Sequence, residues 1–447
     1  MSEQTSAGAP GGTGVPGITP GYRRYALFML VVVYTSSFVD RQIMGVLLEP
    51  VKLDLGLSDT QMGFMTGLAF ALFYATLGMP VAFLADRWNR RNIIAIAVAI
   101  WSLMTALGGL AIGFWTLAIA RIGVGVGEAG ASPPAHSMLA DMYPEKERAG
   151  ALGIYSLGIY FGIMIGFLAG AYVAEYYGWR AAFFVVGLPG LIIAVLVRYT
   201  MIEPQRGAAD GLEPSDPEPI DWSKMWGEIV IGFKHLLSDP VSRNVVFGIM
   251  LVAFVGYGGT TWIAAFFIRS HGMSLIEVGT YLAFAIGIFG GLGAFMGGRM
   301  ADRATQKHVA GGMWIVSVGM LAAAPLVVWF FLETNLTIAL IVYLPTLLLG
   351  AFYLGPSFAM IQTRAPLKMR ALASAIMLFI VNLVGMGLGP QAVGILSDVL
   401  APEFGKESLR YSLLILSFAA VWGAWHYYLA GRHLVRIKAQ AAATPAE

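Results

Sequence analysis

Two residues of opposite charge, Arg121 and Glu128, interrupt a long apolar run and are the first candidates for chemistry. The run, 114–139, is long enough to cross about 30 Å of hydrocarbon as one helix. A charge at the centre of a bilayer costs at least about 2.5–3.5 kcal/mol, so such a residue needs a partner and usually has a function. Their spacing is almost two helical turns, so both side chains share one face, with Gly125 as a gap between them. We therefore expect this helix to present a cation, a hollow and an acid to a ligand and a proton.

The first apolar run carries a second pair of charges, Asp40 and Arg41. Counting the helical rise from each end places Asp40 and Arg121 at similar depth, with Glu128 about two turns deeper. We expect Arg121 to bind the anionic group of a substrate, Glu128 to carry the proton, and Asp40 to act as a switching partner of Arg121. The plainer alternative is an Asp40–Arg121 ion pair that only packs the bundle. Arg41 either faces the cavity or extends to the outer headgroups.

The composition is that of a membrane protein with many spans. Of the 447 residues, 57% are hydrophobic and 12% are charged, whereas soluble domains carry about 25% charged residues. Twelve apolar runs exceed the length of about ten residues that a membrane strand needs, so they predict helices. The fold class is therefore an all-α membrane protein with twelve transmembrane helices. The absence of cysteine excludes disulfides and thiolate metal sites, and we expect no cofactor.

A polar segment divides the twelve runs into two six-helix halves. The predicted divisions are a disordered tail, a first bundle, a linker, a second bundle and a final tail, at 1–22, 23–203, 204–240, 241–435 and 436–447. Within the linker, the sequence WSKMWGEIVIGFKHLL predicts an amphipathic helix at the membrane surface. Of the 28 Lys and Arg residues, 21 fall on the side of the linker and both tails. That bias predicts a protein of the cell (inner) membrane with both termini in the cytoplasm.

The two halves are related by an internal repeat. The segment Gly56-Leu57-Ser58 corresponds to Gly272-Met273-Ser274, and at the same offset Asp86-Arg87 corresponds to Asp302-Arg303. Ser58-x-x-Gln61 and Ser274-x-x-Glu277 both read as capping boxes that start the second helix of a half. Such equivalence predicts two pseudo-symmetric bundles of the same orientation.

These motifs resemble a known family. The loop Ala82-x-x-x-Asp86-Arg87-x-Asn89-Arg90-Arg91 resembles the G-x-x-x-D-R-x-G-R-R signature of the major facilitator superfamily, with both glycines replaced. More narrowly, Asp40-Arg41, LGLSDTQMG, GVGEAGASPPAHSMLADMYPEKERAGALGIYSLG and GWRAAFFVVGLPG resemble the Spinster family. That resemblance implies the major facilitator fold and a substrate such as a lysophospholipid or a sphingosine phosphate. We expect a secondary transporter that works by alternating access.

Charges near the linker side are candidates for gating. We expect contacts among them to hold the outward-facing state, and the residues are Asp86, Arg87, Arg148, Asp302, Arg303 and Arg370.

The second half repeats the helices without the intramembrane charges. Projection by the repeat places Asp40 and Arg41 on Gly256 and Tyr257, and a later offset places Arg121 on Tyr343. With Asn382, these tyrosines are the second half's candidates for contact with substrate. One charged wall and one aromatic wall suit an amphiphile with an anionic head, transported together with protons.

Other functions stay open. One is a proton-coupled carrier of small organic anions, and another is a lipid sensor or scramblase that does not transport actively. The chain has no P-loop, HExxH or GxSxG motif, so nothing in it predicts an enzyme. Its expected partners are the substrate, protons and membrane lipids, with no nucleic acid, and we expect a monomer.

Overall fold

The structure is a computed structural model that describes residues 18–85, 87–210, 222–366 and 369–443. These residues form helices and contain no strand. Nine helical stretches among them are long and apolar enough to cross a membrane. Two of the nine, Glu145–Thr200 and Leu372–Ala442, hold two spans each, and a twelfth span is broken into the pieces Phe114–Glu128 and Ser132–Met142. The twelve predicted spans are therefore confirmed within the described residues.

The first half contains helices 1 to 6. Helix 1 is Pro20–Val46 with its extension Leu48–Leu55; helix 2 is Asp59–Thr66 and Leu68–Ala85; helix 3 is Arg90–Gly108; helix 4 is Phe114–Glu128 and Ser132–Met142; helices 5 and 6 share Glu145–Thr200. The boundary between helices 5 and 6 is Gly178, whose φ of 81° is a left-handed conformation that glycine adopts without steric cost.

The linker helix, Trp222–Ser238, precedes helices 7 to 12. Helix 7 is Pro240–His271; helix 8 is Leu275–Phe284, Ala285–Gly290 and Gly291–Lys307; helix 9 is Gly311–Leu332; helix 10 is Leu336–Gly350 and Leu354–Arg364; helix 11 is Arg370–Ile380, Val381–Leu388 and Gly389–Phe404; helix 12 is Ser408–Ala443. The middle segments of helices 8 and 11 are π-helical, a geometry common at functional sites.

The repeat is visible in matching helix ends. Gly56 ends helix 1 at φ 62° and Gly272 ends helix 7 at φ 69°. Both predicted capping boxes form, at Ser58 and at Ser274, so the same local chemistry starts helices 2 and 8. We call this side of the molecule the far face, and the side that carries the linker the linker face.

Helix 4 is not the single continuous helix that the sequence suggested. Its two pieces are separated at Ala129–Ala131, directly before Ser132 and Pro133-Pro134. Proline has no N–H to donate to the preceding turn, and its ring clashes with the carbonyl four residues earlier. Glu128 is consequently the last residue of the first piece. It lies close to backbone groups that have no hydrogen-bond partner within their own helix because the helix ends there.

Helices 1 and 5 pack closely along a stripe of glycines. A β-carbon at Gly162 would lie 2.4 Å from Cβ of Phe38, and one at Gly158 would lie 3.1 Å from the carbonyl oxygen of Val31. Small residues let helix backbones approach in this way within a membrane. The stripe therefore fixes helix 1, and with it Asp40 and Arg41, against the bundle.

The apolar core joins the two halves mainly near the far face. One cluster of buried side chains there takes members from both halves, such as Phe167 and Trp262. Toward the linker face the core divides into a cluster almost wholly of the first half and a cluster of the second. The halves are thus held together at the far face.

The linker helix forms at the predicted position and packs against the protein. Ile229 and Leu236 are buried, and the ring of Phe233 meets that of Phe379 on helix 11 edge to face at 6.4 Å. Part of its apolar face is therefore covered by the second half, while Trp226 is exposed.

Candidate functional site

A cavity of about 460 Å³ lies between the two halves, within the usual size range of ligand sites. Among the described residues that line it, Arg41 and Arg121 are the charged ones, and both belong to the first half. The second half contributes mainly aliphatic and aromatic side chains, including Tyr257 and Tyr343. The cavity is therefore cationic on one wall and apolar on the other.

Arg41 is bound to a buried acid behind the cavity wall. Its Nε donates to Oε2 of Glu128 at 2.5 Å, and the side chain of Glu128 is 0% exposed. The same oxygen accepts a hydrogen bond from the Ser37 hydroxyl at 2.7 Å. Ser37 and Arg41 are one helical turn apart on helix 1, which brings both to Glu128. Arg41 therefore faces the cavity rather than the outer headgroups.

Aromatic rings hold the Arg41 guanidinium in place. Its central carbon lies 4.5 Å from the ring centroid of Tyr74, 4.9 Å from that of Phe38 and 5.2 Å from that of Phe70. Such cation–π contacts strengthen when water is excluded. The charge is thus positioned before any ligand arrives.

Arg121 is also buried, but it is not paired with the acid that the sequence suggested. Its Nε donates to the carbonyl oxygen of Met65 at 3.4 Å, and its Nη1 donates to the carbonyl oxygen of Asp40 at 3.5 Å. No ion pair joins Arg121 to the Asp40 carboxylate in this conformation, as far as the described residues show. The expected Asp40–Arg121 pair is corrected: the ion pair that forms is Arg41–Glu128.

The Asp40 carboxylate points away from the cavity. It is 0% exposed and does not line the cavity. Trp101 and Thr105 of helix 3 are its polar neighbours, yet neither carboxylate oxygen has a partner of hydrogen-bond geometry among the described residues. Because adjacent residues project about 100° apart on a helix, Arg41 reaches the cavity and Asp40 does not.

The predicted hollow at Gly125 is not a ligand space. A β-carbon there would lie 2.5 Å from the carbonyl oxygen of Phe70 on helix 2. The absent side chain serves a close crossing of helices 2 and 4, and it leaves no room between Arg121 and Glu128. This part of the sequence-based expectation was wrong.

Of the second-half candidates, Tyr257 and Tyr343 line the central cavity and Asn382 does not. Asn382 lines a separate cavity of about 820 Å³, together with His136 and with Glu228 of the linker helix.

Charged residues at the far face tie the two halves together. Arg269, at the end of helix 7, donates to both Asp59 oxygens at 2.7 and 2.8 Å and contacts Glu49 at 2.6 Å. Asp59 also accepts from Lys52 at 2.7 Å and from the Ser397 hydroxyl at 2.6 Å. The ion pairs that join described residues of the two halves all involve Arg269. We call this cluster the far-face lock.

A family model described as Major Facilitator Superfamily matches residues 30–390. The chain belongs to the major facilitator superfamily. It is therefore a multi-pass membrane transporter and not an enzyme.

Within this superfamily the chain is Spinster-like. A crystal structure of a bacterial homologue of the human lysosomal transporter Spinster, inward-facing and unoccupied, superposes with a TM-score of 0.82 at 32% identity, covering 94% of this chain and 99% of the other. "Protein spinster homolog 1" of Xenopus tropicalis is 27% identical over 90% of this chain and 80% of its own length. An "MFS-type efflux pump" of Mycolicibacterium smegmatis is 36% identical over 91% of this chain and 92% of its own.

Two of the candidate gating charges, Arg148 and Arg87, make contacts among the described residues in this conformation. Arg148 pairs with Asp210 at 2.8 Å, and Arg87 donates to the carbonyl oxygen of Phe83 at 3.1 Å. The helix 8 and 11 candidates, Asp302, Arg303 and Arg370, are exposed. Asp86 lies outside the described residues.

Sequence reasoning missed Ser37, the aromatic rings around Arg41, and the far-face lock. The i, i+4 spacing of Ser37 and Arg41 could have indicated a shared partner. Nothing in the sequence pairs Arg269 with Asp59, because the two residues lie in different halves and meet only when the bundles pack.

Proposed function

We propose that this transporter carries an anionic lipid with one hydrocarbon chain, such as a lysophospholipid or a sphingosine phosphate, by proton-coupled alternating access. The observation that carries the proposal is the division of the cavity wall. Arg41 and Arg121 supply its charge from the first half, while the second half is aromatic and aliphatic. A small hydrophilic anion would leave the apolar wall without a partner, whereas a lipid fills both.

Arg121 is the residue we propose to hold the headgroup. Its hydrogen bonds to protein are long and go to backbone carbonyls, so a ligand anion would offer stronger partners. The planar guanidinium binds phosphate or carboxylate through two parallel bonds, which lysine cannot reproduce. Tyr257 and Tyr343 line the same space from the opposite half.

Proton coupling follows from competition for Arg41. In the present arrangement Glu128 occupies Arg41 through its Oε2 atom. Protonation of Glu128 removes that negative charge and leaves the Arg41 guanidinium available as a second contact for the anion held at Arg121, since both arginines line the cavity. Conversely, an anion on Arg41 displaces the carboxylate and favours its protonation. Proton and anion thus bind together, and this coupling acts equally in both directions.

The proposed topology places the linker face in the cytoplasm of a cell with this protein in its inner membrane, because the linker side carries most Lys and Arg. The far-face lock then closes the outer side, in agreement with the inward-facing state named for the Spinster neighbour. Asp86, Arg87, Arg148, Asp302, Arg303 and Arg370 would make their contacts in the opposite, outward-facing state.

Reconstitution into proteoliposomes tests the proposal. A proton gradient should drive movement of a fluorescent lysophospholipid by the wild type, and Glu128→Gln should abolish the response to the gradient while the protein stays folded. Lysolipid movement that is the same with and without a gradient would identify a scramblase and refute coupling. A wild-type response in Glu128→Gln would exclude Glu128 as the coupling site.

A carrier of small organic anions is the second candidate. A relative named "Probable galactarate/D-glucarate transporter GudP" of Bacillus subtilis is 28% identical over 64% of this chain. Gradient-driven uptake of glucarate, with no uptake of lysophospholipid, would select this function and refute the lipid substrate.

A further inference from the structure

The central cavity does not stay between the two halves. Its lining includes helix 9 residues from Met320 to Phe331 and helix 12 residues from Leu413 to Val421. By the internal repeat, helices 9 and 12 correspond to helices 3 and 6. No described residue of helices 3 or 6 lines the cavity. The cavity therefore has an arm that enters the second half alone, between helices 7, 9, 10 and 12.

The arm is mainly apolar. The hydroxyl groups among the lining residues of these helices are those of Tyr257, Thr260 and Thr261 on helix 7, Tyr343, Thr346 and Tyr353 on helix 10, and Ser417 on helix 12. Thr346 and Ser417 donate to carbonyl oxygens of their own helices, at 2.6 Å in each case. Their hydrogen-bonding capacity is thus used within the wall. The charges of the cavity lie at its other end, at Arg41 and Arg121.

The arm has room for a hydrocarbon chain, and its wall includes a largely exposed aromatic residue. A β-carbon added at Gly256, Gly259 or Gly350 would meet no atom within 4 Å, so these glycines border open space. Helix 9 borders the cavity over about 16 Å of its length. Phe418 on helix 12, which lines the cavity, is 58% exposed.

We propose that this arm is the binding site for the hydrocarbon chain of the substrate, with the anionic head at Arg121 and the chain running between helices 9 and 12 toward the lipid. The proposal rests on the proposed function and adds which part of the site distinguishes substrates of different chain length. Each methylene that enters the arm increases affinity over water about fourfold. In this arrangement the arm opens to the bilayer beside Phe418, so a chain longer than the arm extends into the lipid there and gains no more from the protein.

The first experiment fills the arm. Gly350→Leu places an aliphatic side chain in the open space, and Gly355→Leu is the matched control, because Gly355 is on the same helix 10, has equally open surroundings and lines neither cavity. The unfolding temperatures of both variants first show that they are folded. We then measure, in nanodiscs, the binding of lysophospholipids of increasing chain length and of glycerophosphate, which represents the head alone.

We expect Gly350→Leu to weaken binding of the long-chain lysophospholipids about tenfold, to leave glycerophosphate binding unchanged, and Gly355→Leu to behave as wild type. If the affinity of Gly350→Leu depends on chain length as it does in the wild type, the arm is not the binding site for the chain, and the proposal of a lipid substrate is unaffected. Glycerophosphate bound as tightly as lysophospholipid by the wild type would instead refute the lipid substrate.

The second experiment does not depend on a variant. A lysophospholipid with a photoreactive diazirine at the end of its chain should label residues 320–331 or 413–421, and excess unlabelled lysophospholipid should prevent the labelling. Labelling confined to 74–83 or 369–382, around the separate cavity, would overturn the proposal. Labelling of helices 9 and 12 that unlabelled lysophospholipid does not prevent would also overturn it, because a bilayer lipid would then occupy the arm.

Discussion

The far-face lock gives the sharpest prediction about conformational change. Arg269→Met removes the cation that joins helix 7 to Asp59 and Glu49 while keeping an unbranched apolar stem. In the alternating-access cycle that we propose, the far face must open, which breaks these ion pairs and exposes their charges to water. The substitution should therefore favour the state with the far face open.

The magnitude follows from the ion pairs that Arg269 makes. Its guanidinium binds carboxylate oxygens of both Asp59 and Glu49, and its side chain is 9% exposed. Removal of one partner of a buried pair costs about 3–5 kcal/mol. Asp59 keeps Lys52 and the Ser397 hydroxyl, which reduces the loss to about 2 kcal/mol. That corresponds to a shift of about 30-fold in the equilibrium between the two states.

Distance measurement between two spin labels can report this shift. The chain has no cysteine, so labels on introduced cysteines at Leu53 and Lys406, exposed positions on the far face of each half, are free of background. Arg269→Met should add a population at longer distance. Arg180→Met is the matched control, since its partner Asp54 belongs to the same half. An unchanged distribution for Arg269→Met, or an equal change for Arg180→Met, would refute the role of the lock.

Two further predictions concern the headgroup and the packing of helix 1. Arg121→Lys keeps the charge but should weaken binding of a phosphate-headed lysolipid about tenfold, measured in nanodiscs. Wild-type affinity would leave Arg41 as the residue that binds the head. Gly162→Ala should lower the unfolding temperature and cost about 1–3 kcal/mol of stability, because its new methyl group meets Phe38. The control, Gly153→Ala, places its methyl group in open space and should have no such effect. Equal stability of the two variants would contradict the close packing of helices 1 and 5.

Features set by local chemistry could be predicted from the sequence. Apolar runs of spanning length and the Ser58 and Ser274 capping boxes each depend on residues within a few turns of each other. The structure confirms them. The candidates Arg41, Arg121, Tyr257 and Tyr343 also line the central cavity, because a charge or an aromatic ring within a span has few other places to lie.

Pairing between helices was decided only by the tertiary structure. Counting residues along each helix gives depth along the membrane normal, and on that basis Asp40 was expected beside Arg121. Rotation about the helix axis and the break in helix 4 instead directed Arg41 to Glu128. The packing of helix 2 against helix 4 likewise fills the gap that was expected at Gly125.

The sequence by itself thus determined the twelve spans, their repeat and the identity of the buried charges, because hydrophobic length and helix capping act over neighbouring residues. The packing of the bundles decided which acid meets which base, where Arg269 joins the halves, and that one half alone admits an arm of the cavity. These depend on contacts between residues far apart in the chain, since a helix can rotate or shift against its neighbours without any change in its own hydrogen bonds.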